Sequence, residues 1–227
     1  MSLLSRVRRD ERGMTLVEML SAMLIGMVVL FAVLGLLTTL VRSSAESRGR
    51  QQAVREGRMT IDRIGQELRL ASCPDSGTAI ISGTADSVSF YVSRPQANYQ
   101  LAPVVERHTL TYDATAQTLS LSVSTGTGTP PTWSTTPSRQ SVVGTRIARV
   151  GTTPVFQYWQ YDDPDAPDTS LLAVPLAAAD LSSVGQITVT FNALPDYGDV
   201  TKAGSSFSST VLLRTDDPTD TDNTPQC

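Results

Sequence analysis

The sequence predicts an α+β fold: one long N-terminal α-helix, apolar and then amphipathic, packed against a C-terminal antiparallel β-rich region. Three observations predict it. Met19–Val41 is a run of 23 residues without a charge. Residues 42–73 carry apolar side chains at helical spacing, and no proline occurs before Pro74. Beyond Pro74 apolar residues alternate with polar ones, and stretches of Ser, Thr, Gly and Pro break the alternation.

The chain has 227 residues and a formal net charge of −4, enough for one domain or two small ones. The charge is divided unevenly. Residues 1–73 hold 11 Arg against 7 Asp and Glu, net +4; residues 74–227 hold 7 Lys and Arg against 15 Asp and Glu, net −8. An acidic C-terminal part argues against a nucleic-acid partner, because neutralising phosphates takes a basic face. One His and two Cys exclude most His/Cys metal sites and allow at most one intrachain disulfide.

Residues 1–13 form a short polar leader, with Arg6, Arg8, Arg9 and Arg12 against Asp10 and Glu11. Residues 14–41 form the apolar segment. At 1.5 Å per residue, the uncharged run covers about 34 Å, enough for a hydrocarbon core of about 30 Å. Thirteen of its residues are Leu, Ile, Val or Phe; at about −0.3 to −0.6 kcal/mol each they supply roughly −4 to −8 kcal/mol of insertion free energy. The Arg-bearing flank stays cytoplasmic and the C-terminal part lies outside. A cleavable secretory signal is one alternative, with Ser43-Ser44-Ala45 as the cleavage site. The apolar run is long for that, and Arg42 stands between run and site. A plain single-span anchor is another alternative.

Glu18 stands one residue before the run, after Met14-Thr15-Leu16-Val17, and the next basic residue downstream is Arg42. A carboxylate at a membrane edge marks function and calls for a partner. Cutting between Gly13 and Met14 would create an α-amino group four residues before Glu18, on the same helical face. In an array of such helices the carboxylate could meet a neighbour's amine instead.

Gly13-Met14-Thr15-Leu16-Val17-Glu18, with the basic leader before it and the apolar run after it, resembles the N-terminal signature of type IV pilins and type II secretion pseudopilins. The resemblance implies a pilin-like fold. It implies that a prepilin peptidase recognises the segment, cuts after Gly13 and methylates the amine of Met14, and that Glu18 serves peptidase recognition and filament register. The implied partners are that peptidase, other pilins or pseudopilins, the inner-membrane assembly platform and the membrane itself. The implied location is the inner membrane as a single-pass protein, N-terminus inside and head periplasmic or extracellular, then a pilus or pseudopilus.

Residues 42–73 read as the same helix continued outside the membrane, with Val54, Ile61, Ile64 and Leu68 on one face. The helix is expected to run to Cys73, because the residue before a proline is disfavoured in helical geometry. Gly57 and Gly65 read as points of close approach to the β-rich part. Residues 74–227 form that head, with an acidic C-terminal tail. Strands are expected at Ser87–Ser93, Thr109–Tyr112, Thr118–Ser124, Val142–Val150, Val155–Tyr161, Gln186–Asn192 and Ser209–Arg214. The five residues from Asp113 to Gln117 make a hairpin connection, and loops fill 125–138, 162–170 and 195–206. Pro154-Val155-Phe156-Gln157-Tyr158 followed by Leu171, Leu181, Val184, Ile187 and Val189, together with Arg55-Glu56-Gly57-Arg58-Met59 and the stretch from Ile64 to Ala71, looks like J-type minor pseudopilins and W-type minor pilins. A membrane helix without proline and a long head point the same way. A DNA-uptake or adhesion pilin is the alternative within the class. A membrane-anchored extracellular binding domain outside any filament is the alternative beyond it.

No nucleophile elbow, phosphate loop or metalloprotease helix is present, so no catalytic residue is assigned and the chain reads as an enzyme's substrate. His108, two residues from Glu106, reads as a strand-face or surface histidine, with general base as the alternative. Asp162, Asp163, Asp165 and Asp168 form one acidic loop and Asp216, Asp217, Asp220 and Asp222 another. Their oxygens suit Ca²⁺, but neither loop has EF-hand spacing, and solvated turns explain them without a cofactor. Cys73 and Cys227 are candidates for a disulfide in an oxidising compartment, which would also tie down the tail; free or intermolecular thiols are the alternative. Trp133, Tyr158, Trp159 and Tyr161 read as packing residues rather than a ligand platform.

Overall fold

The computed structural model describes residues 15–73, 78–95, 103–127, 132–134, 136–160, 170–196 and 204–213. Contacts divide the chain into two compact units, Met1–Ser47 and Arg48–Cys227. One α-helix, α1 (Leu16–Leu68), contributes to both.

Within the first unit, every described residue of α1 is exposed, including Leu20, Leu24, Ile25, Val28, Phe31 and Leu36. Water does not tolerate an apolar surface of this extent on a soluble protein. Among the described residues α1 is the one helix long and apolar enough to cross a membrane. The hydroxyls of Thr38 and Thr39 donate to the Gly35 carbonyl at 2.8 and 3.0 Å, so the two polar side chains of the apolar run's last turns are satisfied within the helix.

The second unit holds the last part of α1 and eleven described strands. They are β1 (Ile80–Gly83), β2 (Ser87–Arg94), β3 (Val104–Asp113), β4 (Thr118–Thr127), β5 (Thr132–Trp133), β6 (Arg139–Thr145), β7 (Ile147–Ala148), β8 (Phe156–Gln160), β9 (Ser170–Leu171), β10 (Val184–Ala193) and β11 (Ser205–Leu212). Every pairing is antiparallel. One sheet runs β1-β2-β3-β4-β5, with β6 also on β4; the other runs β11-β10-β8-β9, with β7 also on β10. The α+β class and the antiparallel β-rich region are as the sequence predicts.

Each sheet buries one face, as period-two alternation dictates. β2 contributes Val88, Phe90 and Val92; β4 contributes Leu119, Leu121 and Val123; β10 contributes Ile187, Val189 and Phe191, and all are buried. Tyr158 of β8 ties the second sheet to the first: its hydroxyl lies 3.1 and 2.9 Å from the carbonyls of Thr84 and Ser87, in and after the β1–β2 turn. Arg149 grips Asp86 of the same turn through two nitrogens. The hairpin between β3 and β4 closes as expected, with Asp113 Oδ1 accepting the amides of Thr115 and Ala116 at 2.8 and 2.9 Å and Gln117 at φ +52°.

Three expectations need correction. The helix ends at Leu68, five residues before Cys73. The Ser72 amide bonds the Tyr91 carbonyl at 3.0 Å and the Ser72 hydroxyl accepts the Ser93 amide at 2.8 Å, so pairing with β2 takes the backbone out of the helix before Pro74 can act. The buried helical face is Gly49, Ala53, Gly57, Thr60, Ile64, Gly65 and Leu68. Val54 and Ile61 lie only half-buried at its edge. Close approach of helix to sheet selects small residues, which a count of large apolar side chains overlooks. The strand expected over Val142–Val150 is two strands, because Arg146 takes φ +54° between β6 and β7.

Candidate functional site

The N-terminal segment is built around a helix start. Thr15 precedes α1, and its Oγ1 and carbonyl accept the Glu18 amide at 3.3 and 3.0 Å. Thr15-Leu16-Val17-Glu18 has capping-box spacing, and a carboxylate in the first turn also suits the positive end of the helix dipole. Glu18 is exposed, and its carbonyl accepts the Ser21 hydroxyl at 2.9 Å. One acidic group therefore stands at the start of a helix whose next charged residue is Arg42. Gly13 and Met14 lie outside the described residues.

A second cluster seams α1 to the sheets. A Cβ at Gly57 would overlap the Phe207 ring of β11. Thr60 covers Gly144 of β6, where a Cβ would meet Thr60 Cγ2 at 2.7 Å. Polar contacts flank these. Arg146 Nη2 donates to Glu56 Oε2 at 2.8 Å while its other terminal nitrogen binds Asp196. The Gln52 amide, 2.9 Å from Glu56 Oε1, is the largest cause holding the Glu56 carboxyl below its ordinary value, and Arg146 adds to it.

His108 is not a surface residue. It lies in the middle of β3, fully buried, with its Nδ1 3.1 Å from Glu67 Oε2 of α1 and its Nε2 3.1 Å from Glu106 Oε2. Glu106 Oε2 also takes Arg94 Nε at 2.7 Å. The hydrogen bond from His108 lowers the Glu67 carboxyl most, against burial, which acts the other way. Sequence reasoning placed His108 beside Glu106 but had no signal for Glu67, which is 41 residues away. The imidazole itself is buried while the two carboxylates that flank it are partly exposed, an arrangement that does not favour the general-base alternative.

Cys73 is half-buried against the core and disulfide-bonded; Cys227, the other cysteine of the chain, lies outside the described residues. Asp162, Asp163, Asp165 and Asp168 lie outside them too, as do Asp216, Asp217, Asp220, Asp222 and Tyr161. Among the described residues no group of three or more His, Cys, Asp or Glu is placed to hold a metal ion. Tyr158 is core, and burial raises its hydroxyl pKa. Trp159 Nε1 donates to Thr188 Oγ1 at 2.9 Å, and Trp133 lies under Arg107, 5.4 Å from its centroid, and beside Tyr91.

The Thr15 cap is legible in the Thr-x-x-Glu spacing of Thr15 to Glu18. The buried histidine and the small-residue face carry no comparable local signal.

The prokaryotic N-terminal methylation motif matches residues 8–34. The match covers the end of the leader from Arg8, then Gly13, Met14, Glu18 and the apolar helix as far as Leu34. Such a motif marks type IV pilin-like and pseudopilin precursors, which a prepilin peptidase processes and which assemble with other pilins; together with the apolar helix it supports a membrane-anchored chain. No curated protein matches the chain.

Proposed function

We propose that the chain is a minor subunit of a type IV pilus or type II secretion pseudopilus, cut after Gly13, methylated on Met14 and packed into a filament through its apolar helix with Glu18 setting register. The observation that carries this reading is the methylation motif falling on a capped helix whose apolar part is exposed and which has a lone carboxylate in its first turn. Lipid can cover the apolar surface in storage, and sister helices can cover it in a filament. The apolar run without proline and the length of the head support a minor rather than a major subunit, of J or W type.

The test is co-expression with a prepilin peptidase followed by intact mass measurement. The expected mature chain begins at Met14 and carries one added methyl group. Gly13→Val is expected to leave the leader attached, since a β-branched residue restricts the backbone that must enter the protease. An unshortened wild-type chain would point to an anchored domain outside any filament.

A further inference from the structure

We propose that the outward face of α1 between Arg48 and Arg69 is a docking surface for the acidic head of a second copy of this chain. The fold sorts the charges of this part of the helix by side. Residues 48–69 hold six Arg against Glu56, Asp62 and Glu67. Two of the three carboxylates turn to the sheets: Glu56 Oε2 takes Arg146 Nη2 at 2.8 Å, and Glu67 Oε2 lies 3.1 Å from His108 Nδ1. Arg48, Arg55, Arg58 and Arg69 recur at spacings of seven, three and eleven residues, which keeps them on one helical face. All four are exposed, on the side away from the buried face that begins at Gly49 and ends at Leu68. Among the described residues none of the four enters an ion pair. At 1.5 Å per residue the ridge runs about 32 Å along the helix.

Charge complementarity names the occupant. Residues 74–227 carry a net −8, so a copy of this chain brings to the ridge the sign that the ridge attracts. Met59 and Val142, 58% and 54% exposed, share a groove between α1 and β6. An apolar centre with arginines around it suits a protein interface, where Met and Arg are enriched. A lipid surface fits less well. A helix that lies on a membrane turns an apolar face to it, whereas this part of α1 packs that face against the sheets, and its outward ridge carries Gln51 and Gln66 between the arginines. Ridge and acidic head are different patches, so the contact is heterologous. A joined pair keeps one free ridge and one free head, and repetition extends an open array. The contact is separate from the packing of apolar helices and forms without a filament.

Sedimentation of the full-length chain in non-ionic detergent micelles tests this. Wild type is expected to self-associate at about 50 mM salt and to dissociate as salt rises to about 500 mM, since screening shortens the reach of exposed charges. Arg55→Glu with Arg58→Glu should weaken association several-fold. Arg55→Lys with Arg58→Lys keeps the charge and should leave association at the wild-type level. Asp62→Asn removes the ridge's one negative charge and should strengthen it. A wild type that stays monomeric at low salt overturns the proposal, and its retention on vesicles of anionic lipid would then assign the ridge to a lipid surface. Association that is equal in the Glu and Lys variants overturns it as well and assigns the contact to the apolar helices.

Discussion

Gly57 and Gly65 look alike in the sequence and differ in the structure. At Gly57 the helix backbone runs against Phe207, and an added Cβ has nowhere to go unless the ring moves. At Gly65 the same atom would sit 3.8 Å from Val211 Cγ2, an ordinary contact. Gly57→Ala should therefore destabilise the second unit by about 1–3 kcal/mol, the usual range for overpacking. Gly65→Ala should stabilise it by up to about 1 kcal/mol, because alanine is the better helix former. Thermal melts of the two variants against wild type check the difference in sign. Glu67 makes a second prediction at this scale. Its carboxyl titrates below the ordinary value because His108 bonds the charged form. The stability it contributes is present above the unfolded carboxylate range, near pH 4.5, and is lost as pH falls through the lowered folded value. Glu67→Gln should flatten the acid limb of the stability profile below pH 4.5, as measured by melting temperature against pH; an acid limb of unchanged slope would assign the loss to other carboxylates.

The elements show which parts of the fold the sequence carries. β2, β3, β4, β8, β10 and β11 were legible because each alternates over five or more residues and each buries one face. β1, β5 and β9 were not, because four residues or fewer cannot display a period. The apolar half of α1 was legible from length and charge alone. Its second half was legible as a helix but not in rotation: the face that packs is lined by Gly49, Ala53 and Gly57, which hydrophobicity hardly marks. The end of α1 was misplaced because a proline is a local signal and the Ser72 bonds to Tyr91 and Ser93 are not. Of the candidate site, Glu18 stood out as a charge beside an apolar run, whereas the Glu67–His108 contact depends on how α1 meets β3. Long-range contacts of that kind have no signature in spacing.

At the scale of the whole chain two predictions remain. Cys73 is disulfide-bonded, and pairing with Cys227 would close a loop of 154 residues (227 − 73), worth up to roughly 5 kcal/mol in the chain-entropy account. Non-reducing peptide mapping of monomeric protein should give one fragment linking the two cysteines, and Cys227→Ser should lower the melting temperature; a linked dimer instead would assign the bond to a second chain. The other prediction concerns assembly. A filament must give every buried charge a partner, and Glu18 has none on its own helix before Arg42. The amine freed at Met14 of a neighbouring subunit supplies one, neutralising both groups in the apolar layer and fixing the axial stagger. Glu18→Gln is the discriminating change, because glutamine also serves the third position of a capping box. The helix start is kept and only the charge is lost. The variant should insert and be cleaved after Gly13 as in wild type, yet co-purify with partner subunits several-fold less. Glu18→Leu should insert at least as well, since it replaces a charge by an apolar side chain, and assemble no better than Glu18→Gln. Recovery of both processed variants in filaments at wild-type levels would make Glu18 a capping residue alone, and register would then rest on the packing of the apolar helices.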